Sequence, residues 1–194
     1  MPMVMYGCLT GPSDKKMRVL KDVRLFFALW PDEQVRSQIA DNLQRFDLDK
    51  NQNRITDKDN LHMTLHFVGN TSLAEMNCLD QQAKLARGQS FDLVLDCSGY
   101  FNKPRVLWFG CHDAPRALYD LQLKLGRDLD ICAYSPESRP YSPHVTVARK
   151  IVGAPEAIKL EPVNWHVDRF VLVKSISITG GVLYEVVQSY ALGC

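Results

Sequence analysis

No two of the six cysteines, at 8, 78, 97, 111, 132 and 194, stand in a C-x-x-C. That spacing excludes the usual zinc and disulfide frameworks and leaves the expectation of free thiols in a reducing cytosol. No apolar run approaches the roughly 20 residues a membrane helix needs, so no membrane partner is expected. The opening Met1–Leu9 is apolar but has no basic start and meets Gly11-Pro12 too early for a secretory signal. No block of like charges occurs: 23 Lys and Arg balance 22 Asp and Glu, for a net charge of +1. A protein that tracks long nucleic acid carries a stronger basic footprint, so a small molecule or a chain end is the expected partner. No G-x-x-x-x-G-K-[ST] is present, which excludes a P-loop nucleotide site. These absences describe a cytoplasmic protein, expected to be a monomer.

What is present is an ordinary globular balance, 46% hydrophobic and 23% charged over 194 residues. Residues 1–21 have no period and read as a loose leader, with Met17 an alternative start; residues 22–194 read as one domain of two lobes. Val23–Leu29 reads as a buried strand stopped by Trp30-Pro31-Asp32. Val35, Ile39 and Leu43 mark one helix face. Asp47–Asn60 is polar and reads as a loop, and Leu61–Val68 as a strand. Ser72-Leu-Ala-Glu75 is a capping box opening a second helix with Met76, Leu79 and Ala83 inward. Phe91–Asp96 and Arg105–Cys111 read as strands joined through Gly99–Pro104. Pro115 opens a third helix carrying Leu118, Leu121, Leu125 and Leu129. Ser135–Pro143 is a loop, and His144–Val147, Phe170–Val173, Ser175–Ile178 and Leu183–Val187 read as strands. Helices among mainly antiparallel strands make an α+β protein.

A weak repeat runs through this order. Leu25–Leu29 aligns with Leu107–Cys111 at an offset of 82, and the same offset carries His62-Met-Thr-Leu65 onto His144-Val-Thr-Val147. It also sets Ile39 on Leu121 and Leu43 on Leu125. Each half is then strand, helix, loop and a strand bearing H-x-T, and the halves are expected as pseudo-twofold lobes whose H-x-T strands face each other.

Residues i and i+2 of a strand share a face, so His62 joins Thr64 and His144 joins Thr146, with the intervening residues turned to the core. Two imidazoles and two hydroxyls converging on one point suit a phosphodiester. An imidazole titrates near pH 6.5, so one ring can take a proton from water while the other gives one to the departing oxygen. Threonine hydroxyls can donate to the non-bridging oxygens. A strained cyclic phosphate is the easiest diester for such a site, which calls for no metal or other cofactor. One H-x-T alone is a chance pattern or a satisfied core histidine; two at matching positions of a repeat point to function.

His62-Met-Thr-Leu-His-Phe-Val-Gly69 and Tyr141-Ser-Pro-His-Val-Thr-Val-Ala-Arg149 resemble the paired signatures of the two-histidine phosphoesterases, and within them the bacterial RNA 2',3'-cyclic phosphodiesterases historically called 2'-5' RNA ligases. The likeness begins near Val23 and reaches the C-terminal strands. It implies a bilobal fold around a central cleft, no metal, and opening of a 2',3'-cyclic phosphate on RNA ends or small nucleotides to a 2'-phosphomonoester. It implies His62 as proton donor, His144 as proton acceptor, Thr64 and Thr146 gripping the phosphate, and Arg149 adding positive charge. Strict alternation turns Arg149 away from His144, so that role requires a bend or bulge.

Other residues invite rival readings. His66 shares the expected face of His62 and could complete a three-histidine metal set, although no carboxylate or cysteine is spaced to support it; a partly exposed bystander is the simpler expectation. Phe67 and Tyr141 could stack on a nucleobase, but alternation points Phe67 to the core. Arg139, Lys103 and Lys150 are either a basic rim for an RNA end or solvated surface. Trp30, Trp108 and Trp165 read as core. Ligation in the 2'-5' sense is the same chemistry in reverse. A nucleotide-binding module without chemistry, and a phosphodiesterase of another cyclic phosphate such as that of ADP-ribose, stay open as alternatives.

Overall fold

The computed structural model describes residues 23–49, 51–156, 158–179 and 181–193. The proposed leader lies outside them. The described residues form ten strands and three α-helices: β1 (Val23–Leu29), α1 (Glu33–Gln44), β2 (Arg54–Ile55), β3 (Met63–Thr71), α2 (Leu73–Leu85), β4 (Phe91–Leu95), β5 (Cys97–Phe101), β6 (Val106–Gly110), α3 (Arg116–Leu129), β7 (Val145–Arg149), β8 (Val163–Val167), β9 (Arg169–Ile178) and β10 (Gly181–Ala191). The main sheet runs β10-β9-β1-β3-β7-β6-β5, with β2 against β7, and β4 and β8 form a separate pair. Every ladder between these strands is antiparallel. The fold is α+β, as expected.

The helices start where their caps direct. Asp32 accepts from the Val35 amide at 2.8 Å, and Ser72 and Glu75 close the expected capping box. Leu118, Leu121, Leu125 and Leu129 form the buried stripe of α3. They cover one face of the sheet, where Leu25, Phe27, Met63, Phe109, Val145 and Phe170 are buried in the same core. Phe26, Ala28, Val171 and Val173 belong to a second, smaller cluster on the opposite face. β1 is therefore buried on both sides, which explains its unbroken apolar run.

The two H-x-T strands are neighbours in one sheet, and they meet at a single pair, Met63 with Val145. These residues are 82 apart, so each pairs with its own counterpart and the pseudo-twofold axis passes between them. The first strands of the halves are less faithful: Leu29 pairs with Met63, but Phe109 rather than Cys111 pairs with Val145, two residues out of step.

A bulge interrupts each H-x-T strand at the same place. Opposite β1 the register passes from Thr64 to His66, leaving Leu65 unpaired; opposite β6 it passes from Thr146 to Ala148, leaving Val147 unpaired. One extra residue reverses the alternation beyond it. His66 consequently turns into the core, at 4% exposure, and Phe67 turns out, at 50%. Both are corrections to strict alternation. In the other half the same device buries Ala148 and exposes Arg149.

The expectation that all cysteines are free is also corrected. Cys78 on α2 and Cys132 just beyond α3 are joined in a disulfide, their Cα atoms 5.7 Å apart. Packing of α2 against the end of α3 brings them together across 54 residues, a separation at which no spacing motif exists. Cys97 and Cys111 are free thiols. Among the described residues no helix is long and apolar enough to cross a membrane.

Candidate active site

Extending the Met63–Val145 pairing by one residue each way sets His62 opposite Thr146 and Thr64 opposite His144. Facing residues of an antiparallel pair have Cβ atoms about 4.5–5.5 Å apart. Each histidine thus faces the other half's threonine on one surface of the sheet. Burial reflects this: Met63 and Val145 are wholly buried, while the four flanking residues are partly exposed.

Both rings are oriented alike. His62 Nδ1 lies 2.6 Å from the Asn60 carbonyl and His144 Nδ1 lies 2.8 Å from the Ser142 carbonyl. A carbonyl only accepts, so each Nδ1 carries the proton and each Nε2 is left for chemistry. The two contacts are again related by the repeat, since each carbonyl lies two residues before its histidine.

The rings sit in aromatic surroundings. Trp30 stacks on His62 at 5.5 Å with 10° between planes, Phe26 lies at 4.8 Å and Tyr184 meets it edge-on at 5.1 Å. Phe101 is 5.1 Å from His144 and nearly perpendicular to it, and Trp108 is 6.2 Å away. Trp108 fits only because residue 99 is glycine: a Cβ there would stand 2.1 Å from the indole. Of the three tryptophans read as core, Trp165 is buried at 4% exposure, whereas Trp30 and Trp108 hold the histidines.

Burial pushes the His62 imidazole down to about 4, opposed by its bond to Asn60 and reinforced by Arg149 and His144. His144 is lowered as well, first by burial and then by Arg149. In the free protein both rings are therefore neutral at pH 7, and a bound anion is what would restore a proton.

His62, Thr146 and Arg149 line a polar cleft of about 430 Å³ together with Arg54 and Tyr184. Arg149 reaches it because of the bulge at Val147. Arg54, in a segment expected to be pure loop, forms β2 and pairs with Arg149. Phe67 and Tyr141 do not line this cleft. Phe67 is stacked under Arg24, 4.7 Å from ring centroid to guanidinium carbon. The Tyr141 hydroxyl donates to the Thr64 carbonyl at 3.1 Å, bracing the first H-x-T strand from a different depression. Arg139, in that same depression, pairs with Glu137. Sequence reasoning missed Trp30, Tyr184 and Arg54 as site residues; the aromatic run ending at Trp30, directly before Pro31, was the one available signal.

The three-histidine metal set does not assemble. His66 Nε2 donates to the Gln122 carbonyl at 2.7 Å and Nδ1 accepts from the Tyr134 hydroxyl at 3.0 Å, so both nitrogens are occupied inside the core. Among the described residues, Asp96, Cys97 and His112 have ligand atoms within 4.8 Å of one another, but none of the three lines the cleft.

The family model described as the 2'-5' RNA ligase superfamily matches residues 31–177. A relative named RNA 2',3'-cyclic phosphodiesterase, from Escherichia coli (strain K12), is 32% identical over 173 residues, covering 87% of this chain and 96% of that protein. One from Methanothermobacter thermautotrophicus with the same name is 33% identical over 135 residues, 66% of this chain and 71% of the relative. Among solved structures, E. coli LigT in its apo form superposes with a TM-score of 0.78 at 30% identity, over 90% of this chain and all of that one. The crystal structure of LigT with 3'-AMP gives 0.77 at 30% identity, over 89% and 99%. By sequence over most of its length and by fold, the chain belongs to the 2'-5' RNA ligase superfamily.

Proposed function

We propose that the protein hydrolyses the 2',3'-cyclic phosphate at RNA ends or on small nucleotides, giving a 2'-phosphomonoester, by general acid–base catalysis with His62 and His144. The observation that carries this is the pairing of Met63 with Val145, which brings both H-x-T motifs to one face with both Nδ1 atoms tied to backbone. The activity for which the relatives at 32% and 33% identity are named supports it.

In the proposed step Nε2 of His144 takes a proton from water as its oxygen bonds to phosphorus. The P–O3' bond breaks, and Nε2 of His62 protonates O3'. The products are a 3'-hydroxyl and a 2'-phosphate, and the two imidazoles regain their starting states by exchange with solvent. Thr64 and Thr146 donate to the non-bridging oxygens, and Arg149 offsets the charge that builds on them. Protein groups suffice for every transfer, so we read the reaction as independent of metal.

His62 is neutral in the free cleft, so it must take up a proton from solvent as the substrate binds. The cyclic phosphate is an anion, and in a poorly solvated site it favours the imidazolium strongly. The stacked Trp30 face adds a cation–π contribution of about 0.5–2 kcal/mol to the charged ring. These effects suit His62 to the donor role.

Replacement of either histidine tests the roles. His62→Ala and His144→Ala should each lose about 10²–10⁴-fold in rate while retaining the native circular dichroism spectrum. Folded variants with near-normal turnover would refute the pair.

A further inference from the structure

The cleft does not end at Arg54. A second depression of about 460 Å³ adjoins it, sharing Arg54 and Ile55 and adding Asn51, Gln52, Asn53 and Lys150. We propose that this depression is a subsite for the nucleotide immediately upstream of the terminal cyclic phosphate, so that the protein acts on RNA strand ends in preference to mononucleotides. The inference rests on the cyclic phosphodiesterase reading above.

Three observations support it. Its position follows from the ladder: Arg54 pairs with Arg149, the last residue of β7, and Lys150 follows at once. A strand anchored by its cyclic phosphate at His62 and Thr146 therefore passes Arg149, then Arg54, then Lys150 as it leaves. The charge is right for a phosphodiester. Val106 also pairs with Arg149, and this brings Lys103 and Arg105 of the β5–β6 turn to the same end of the sheet. Lys103, Arg105 and Lys150 make no ion pair among the described residues, all three being exposed.

The nearby acids are already engaged. Asp49 accepts from the Asn51 amide at 2.8 Å and from Gln52 Nε2 at 2.6 Å, and Asp57 accepts from the Asp59 amide at 2.9 Å. Asn53 is spent on the Asp49 carbonyl and the Val152 amide, which fixes the loop in place. Gln52 Oε1 stays available to a ribose or base, while the Asn51 side chain joins its backbone amide in holding Asp49. The near-zero net charge of the chain therefore hides a local run of cations that begins at the catalytic residues. Single-stranded nucleic acid is bound by such grooves, and each phosphate contact makes the affinity depend on salt.

Uridine 2',3'-cyclic phosphate and a uridine trinucleotide with the same end distinguish the possibilities. In low salt the wild type should open the trinucleotide with kcat/KM about tenfold higher, and the advantage should shrink as salt rises. Lys150→Glu should remove about fivefold or more of the trinucleotide rate and leave the mononucleotide within about twofold. Equal rates for the two substrates in the wild type would overturn the subsite, as would a variant that slows both alike. If neither is opened, the underlying activity fails. Titration with the 2'-phosphate-ended trinucleotide and mononucleotide then still decides the subsite. Tighter trinucleotide binding that Lys150→Glu abolishes supports it, and equal binding overturns it.

Discussion

Because His62 is held neutral by its surroundings, the protein should lose stability as pH falls, and by a predictable amount. An unfolded histidine titrates near 6.5, whereas His62 in the fold titrates at about 4. The unfolded chain thus binds the proton first, and stability rises with pH between these values. The contribution is complete above about pH 6.5, and most of it is gone at pH 4.5. One pKa unit corresponds to about 1.4 kcal/mol, which gives an upper bound of about 2.5 kcal/mol for the loss at pH 4.5. The His62 side chain keeps partial contact with solvent, so a loss of about 1–2 kcal/mol is the working expectation. Urea unfolding of wild type and His62→Ala at pH 7.5 and 4.5 measures it. Packing lost with the ring is the same at both pH values, so the difference of differences isolates the titration. The variant should be less sensitive to acid by that amount. An identical pH dependence in the two proteins would show that His62 is not held below its ordinary range.

The same depression of both histidines places the kcat/KM optimum on the acid side: a bell with limbs near pH 4 and below 6.5, and a kcat optimum shifted upward by the bound anion. A kcat/KM optimum at pH 7.5 or above would contradict it. The disulfide closes a 54-residue separation, for which loop entropy predicts about 4 kcal/mol. Cys78→Ser or added reductant should therefore lower Tm by several degrees yet leave kcat at 20 °C unchanged, because the bridge lies away from the cleft. An unaltered Tm would refute a stabilising bridge.

The paired H-x-T pattern was legible because it is repeated: recurrence at one offset from an aligned strand carries more information than either copy alone. The capping box at Ser72 and the leucine stripe of α3 were legible for the same local reason. What the residues could not disclose depends on register. A single unpaired residue at Leu65 or Val147 leaves no mark on composition, yet it decides that His66 is core, Phe67 is surface and Arg149 is in the cleft. Trp30 just beyond β1, Arg54 on β2 and Tyr184 on β10 reach the site from segments distant in sequence, and Cys78 finds Cys132 only through helix packing. β2 was hidden because two residues in a polar stretch show no period.

Incubation of the protein, in excess EDTA, with a short RNA ending in a 2',3'-cyclic phosphate puts the metal-free histidine pair to the test. Rapid opening to a 2'-phosphate is expected, since proton delivery from His62 to O3' fixes which ester bond breaks. A 3'-phosphate product, or opening that requires added metal, would contradict it.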